Sequence, residues 1–179
     1  MAAFSSLAAL AGQPLVWTQP HALKHEFLLA HGETPIGTLV FRSAFGSFAT
    51  ATNPAGCWTM KRVGFLRTRV EVRPRDREAA VGAFHNNTWI GGGTLVLPDG
   101  RELRADTNLW QSRYEFSDAG GQPLVRYTTA GFFKASGGME ITAAGAALAE
   151  LPWIVMLGWY LVIMMRSDST AAGAAVITG

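Results

Sequence analysis

Leu151-Pro152-Trp153-Ile154-Val155-Met156-Leu157-Gly158-Trp159-Tyr160-Leu161-Val162-Ile163-Met164-Met165 is a run of fifteen residues without a charge, preceded by Glu150 and followed by Arg166. A proline in the first turn, an acid before it and a base after it complement the helix dipole and mark the two ends of a helix. Its residues are apolar on every side, so it belongs either at the centre of a protein or in a membrane. At 1.5 Å per residue, fifteen residues reach about 22 Å, short of the roughly 30 Å hydrocarbon core. Extending the run back through residues 143–149 takes in Glu150, and neither flank carries a basic cluster to orient a span. A buried core helix over 151–165 is therefore preferred. A single-pass, tail-anchored protein with a β-rich soluble domain is the alternative.

What could enclose such a helix is written upstream of it. From Leu15 to about Thr142 the chain is a succession of short apolar or alternating runs separated by glycine, proline, asparagine or aspartate, as in antiparallel β-structure. The runs are 15–18, 25–30, 35–42, 46–52, 56–62, 67–73, 79–85, 93–97, 101–106, 113–117, 123–130 and 138–143. Turn chemistry at His31-Gly32-Glu33-Thr34, Pro98-Asp99-Gly100 and Asp118-Ala119-Gly120-Gly121 joins neighbours into hairpins, so the sheet is mostly a meander. The clearest alternation is Leu66 to Arg73, where Leu66, Thr68, Val70 and Val72 share one face and the charged residues the other. Twelve strands in one sheet curl to hide their edges, and a barrel that wide needs more filling than its own side chains supply. The expected fold is mainly β: about twelve antiparallel strands closed into a barrel around the C-terminal helix. The 179 residues, 49% hydrophobic and only 16% charged, suit one such domain, and 20 glycines suit its turns. Residues 1–14 read as a frayed or loosely docked helical arm, 15–168 as the barrel domain and 169–179 as a flexible tail. The apolar Met1 to Gly12 stretch lacks the basic start of a signal peptide.

Twelve short strands and one wholly apolar C-terminal helix resemble the tubby C-terminal-like superfamily, which includes tubby proteins, phospholipid scramblases and LURP-one-related proteins. The resemblance runs from about Leu15 to Asp168. It is carried by the hairpin Gly93 to Leu103, by Tyr114-Glu115-Phe116-Ser117-Asp118 with Gly120 and Gly121, and above all by the ending Glu150 to Met165. It implies a helix threaded along the barrel axis and a binding rather than catalytic role, with lipid association. A scramblase's cysteine cluster, proline-rich arm and acidic calcium segment are missing: there is only Cys57, and Arg166-Ser167-Asp168-Ser169-Thr170 holds a single acid. Calcium dependence and lipid anchoring are therefore not carried over.

Charge supplies the candidate site. Net charge is +2, yet Lys61 to Arg77 holds seven bases (Lys61, Arg62, Arg67, Arg69, Arg73, Arg75, Arg77) and two acids, a local +5 that leaves −3 for the rest. Arg67, Arg69 and Arg73 fall on the outward face of one strand. Such a run reads either as a surface for anionic headgroups or phosphate, or as a solvated face whose arginines pair with Glu71, Asp76 and Glu78. The partners this implies are anionic lipid headgroups or another protein, met peripherally, with a cytoplasmic location; a domain charge of +2 gives no reason to expect nucleic acid.

No other grouping carries chemistry. His21 and His25 have helical spacing but straddle a loop and a strand, and with His31 and His85 they read as turn or strand-end residues, so no metal is expected. Gly91-Gly92-Gly93-Thr94 lacks the lysine of a phosphate loop. Trp58, Trp89, Trp110, Trp153 and Trp159 read as core, and Cys57 as packed. Nucleophilic and acid–base motifs are absent, so neither an enzyme nor a cofactor is expected.

Overall fold

The computed structural model describes residues 6–64, 68–87, 91–131 and 134–177. Its strands are β1 (Leu15–Thr18), β2 (Glu26–His31), β3 (Thr34–Phe41), β4 (Ala49–Asn53), β5 (Gly56–Val63), β6 (Arg69–Pro74), β7 (Gly82–Asn86), β8 (Gly93–Val96), β9 (Glu102–Thr107), β10 (Arg113–Ser117), β11 (Pro123–Ala130) and β12 (Ser136–Ile141). Each pairs antiparallel with the next, and β1 closes onto β12, with Leu15 opposite Met139. The result is a closed twelve-stranded barrel in strict chain order. Two helices follow, α1 (Ala143–Ala146) and α2 (Leu151–Ile177).

α2 occupies the interior. Every residue from Leu151 to Met165 is buried except Pro152, which is half-buried. The helix meets wall on all sides: Trp159 stacks on Trp17 of β1 at 5.4 Å, Tyr160 stacks on Phe41 of β3 at 5.4 Å, and the Tyr127 hydroxyl of β11 donates to the Val155 carbonyl at 3.0 Å. Bulk on one surface faces absence of bulk on the other. Gly82 of β7 sits against the Trp153 ring, Gly137 of β12 against Trp159, and Gly158 of the helix against the Tyr127 ring. Alternation along each strand places this wall: Val70 and Val72 of β6 point in, Arg69 and Arg73 out.

Four expectations are corrected at their margins. The helix does not stop at Met165 but continues to Ile177, so residues 169–177, expected as a tail, are helical. Its last part passes beyond the barrel, with Arg166 donating to the Gly131 carbonyl and Ser169 to Gln111. In the N-terminal arm a 3-10 turn, Leu7–Leu10, buries Leu7 and Leu10 against the barrel end. β6 begins at Arg69, which leaves Thr68 exposed rather than facing the core; Leu66 lies outside the described residues. Trp110 is not core: it stands in the connector between β9 and β10, 83% exposed.

A helix held inside a closed wall is also not available as a membrane span, which removes the tail-anchored alternative. Among the described residues no helix is long and apolar enough to cross a membrane.

Two measurements check this interior. A methyl group on Gly158 would overlap the Tyr127 ring, so Gly158→Ala should destabilise the fold by about 1–3 kcal/mol or more in denaturant titration; Leu157→Asp, which buries an unpaired carboxylate, should cost several kcal/mol more and abolish cooperative unfolding. All three tyrosines are held as neutral phenols: burial pushes Tyr160 up to about 12 and Tyr114 and Tyr127 well above the ordinary 10.0. A raised phenol favours the folded state up to the ordinary value and gives up that contribution as pH climbs through the folded one. At pH 10 the native chain should show almost no phenolate absorbance, and the denatured chain about half-ionised tyrosine.

Candidate functional site

The basic run does not stay together when it folds. Lys61 on β5 and Arg69 and Arg73 on β6 point outward and are exposed. They surround one acid: Glu71 lies opposite Lys61 in the β5–β6 register and accepts from Arg69 at 2.6 Å and from Arg73 at 2.5 Å. The guanidinium of Arg73 first, and then Arg69, hold the Glu71 carboxyl below its ordinary value. Three bases against one acid leave this wall patch at +2.

Arg62 goes elsewhere. It has the inward parity of Trp58 and Met60, and at the end of the barrel it makes a two-pronged pair with Asp168 of α2, at 2.8 and 3.3 Å. The Asp168 hydrogen bond raises the Arg62 pKa above its ordinary value. Arg75 and Arg77 lie at the opposite end, exposed in the β6–β7 connector beside Asp76 and Glu78. Arg67 lies outside the described residues. The six described bases thus form a wall patch, an internal latch and a charge-balanced turn. Sequence distance alone could not separate these, because parity and strand ends decide them.

A second feature escaped the sequence reading. Strict antiparallel order puts the connectors β1–β2, β3–β4, β5–β6, β7–β8, β9–β10 and β11–β12 at one end of the barrel, where α2 leaves; the Tyr160 hydroxyl donates there to the Ser47 carbonyl at 2.6 Å. Large apolar side chains stand free on these connectors: Leu23 is 97% exposed, Phe45 103%, Leu109 74% and Trp110 83%. The β9–β10 turn is stiff. The Asn108 side-chain oxygen accepts from the Ser112 and Arg113 amides at 2.8 and 3.1 Å, and Gln111 adopts φ 53°, a left-handed conformation that few non-glycine residues take. Leu109 and Trp110 are thereby held at its tip. The signal for Trp110 was its position between the runs 101–106 and 113–117, outside any strand.

At the far end the barrel is plugged. The Leu7–Leu10 turn and α1 cover it, Asn53 donates to the Pro152 carbonyl at 2.7 Å, and a groove of about 380 Å³ remains among Leu7, Leu10, Ile36, Leu148 and Leu151.

Neither family models nor curated proteins match the chain. Among solved structures it is similar to the X-ray structure of a protein from Arabidopsis thaliana, with a TM-score of 0.55 and 9% identity over 88% of this chain and 93% of that one. At that identity the likeness is one of fold.

The wall patch makes a titration prediction. The Glu71 carboxyl should titrate below the ordinary 4.5 in an NMR pH series, and Arg69→Gln with Arg73→Gln should return it toward that value.

Proposed function

We propose that this chain is a non-enzymatic binding barrel of the tubby- and scramblase-like type, which meets anionic headgroups of a membrane surface peripherally, from the cytoplasmic side. The observation that carries the reading is the exposed wall patch, where Lys61, Arg69 and Arg73 outnumber Glu71. Glu71 engages both arginines through its two oxygens, and the surplus positive charge still faces water, open to a phosphate or carboxylate from outside. The interior is filled by α2, so ligands are met on the outer surface rather than inside the barrel.

An exposed base near an acidic membrane contributes about 1 kcal/mol, and the attraction is screened as the Debye length falls from about 10 Å at 0.1 M salt to about 3 Å at 1 M. Sedimentation with phosphatidylcholine vesicles, with and without phosphatidylserine, tests the reading. Lys61→Gln, Arg69→Gln and Arg73→Gln together should lower affinity for the acidic vesicles by up to about a hundredfold at low salt. Glu71→Gln should act in the opposite sense, freeing both arginines and tightening binding. Equal binding by the wild type and the triple variant would leave the patch as a solvated face.

A further inference from the structure

We propose that the end of the barrel from which α2 emerges is a membrane-insertion surface: Leu23, Phe45, Leu109 and Trp110 enter the acyl region of an anionic bilayer while neighbouring bases rest on its headgroups. The inference rests on the reading above for its choice of a membrane as partner, and adds a different surface and a different force.

The two ends of the barrel differ in charge and in apolar content. The described residues of the connectors at the α2 exit include Lys24, Arg42 and Lys134 and no aspartate or glutamate. Those at the far end carry Glu33, Asp76, Glu78, Asp99 and Asp118 together with Arg75, Arg77 and Arg101, a net negative set, and no aromatic residue. The described apolar tips stand on three separate connectors of the exit end, almost wholly exposed. Lys24, Arg42 and Lys134 are exposed beside the described tips.

The projecting part of α2 fits the same environment. Its one acid, Asp168, is neutralised by Arg62, and residues 169–177 contain no charge. Bases at the rim with aromatic and aliphatic side chains beyond them form the pattern of a surface that sits in a bilayer interface. A second copy is the poorer occupant. Joining two such ends would set Lys24, Arg42 and Lys134 against the same bases, while the exposed acids of this end, Glu26 and Asp106, stand on the strands behind the projecting connectors. The insertion end and the wall patch are compatible, because Arg69 opens β6 at this end.

The test uses the full chain and phosphatidylcholine–phosphatidylserine vesicles whose acyl chains are brominated or plain. Four of the six tryptophans, Trp17, Trp58, Trp153 and Trp159, are buried and Trp89 lies outside the described residues, so the difference between the wild type and Trp110→Phe reports on this end. Brominated chains should quench the wild type and quench Trp110→Phe less. Leu109→Ser with Trp110→Ser should lower vesicle affinity by about tenfold or more, at low and high salt alike, while thermal unfolding stays cooperative. Trp110→Phe should retain most of the affinity. Absence of quenching, or unchanged affinity of the double serine variant, overturns the proposal. So does a dimer in sedimentation velocity that this variant converts to a monomer without any change in vesicle binding. Failure of the headgroup reading is separate: it appears as a glutamine triple variant that binds like the wild type while the serine variant does not.

Discussion

A helix apolar on every face has no stable place in water, and the architecture answers that constraint. Fifteen consecutive residues of α2, Leu151 to Met165, need wall in all directions, including around the indole rings of Trp153 and Trp159. A sheet that left an edge open would expose one flank of the helix, so the pairing of β1 with β12 matters as much as any hairpin. The wall is shaped to its contents. Gly82 and Gly137 recede where the indoles press, and the helix recedes at Gly158 for Tyr127. Fit of this kind leaves little room for added volume on either surface.

A filled interior moves function outward. Barrels that carry ligands inside do so because their lumen is open, whereas here the space belongs to the helix. What remains are the outer wall and the two ends, and these are unequal. The end where α2 starts is closed by the Leu7–Leu10 turn and α1, and ordinary salt bridges such as Arg101 to Asp99, at 2.6 Å, surround it. The end where α2 leaves is held inside by Tyr160 and Arg62, while the tips of its connectors face water.

The fold was legible because its two signals are local and strong. An uncharged run of fifteen residues and a period-two alternation at Val70 and Val72 survive any uncertainty in boundaries. Strand limits moved by a few residues where a connector had its own work, as at Ser47, whose carbonyl takes the Tyr160 hydroxyl and which therefore precedes β4 rather than lying in it. The candidate site was legible only in part. Lys61, Arg69 and Arg73 share a face because strand parity is readable, but Arg62 turns inward to Asp168, a partner 106 residues away that no local pattern announces. Trp110 shows the converse error: an aromatic residue was assigned to the core by its type, although its position between strands already placed it on a turn.

That error has a physical lesson for the exit end. A large apolar side chain on a connector tip gives up the favourable transfer from water that it would gain in a core, about 1.5–3 kcal/mol for a residue of this size. One such residue on a surface is ordinary; four on three connectors of the same barrel end, with one turn stiffened by Asn108 and a left-handed Gln111, are not explained by folding. The barrel gains nothing from them, since its core is already complete without them. Their transfer free energy is available to whatever covers that end, and the bases beside them, with no acid among the described residues of the connectors, favour a cover that is both apolar and negatively charged at its rim.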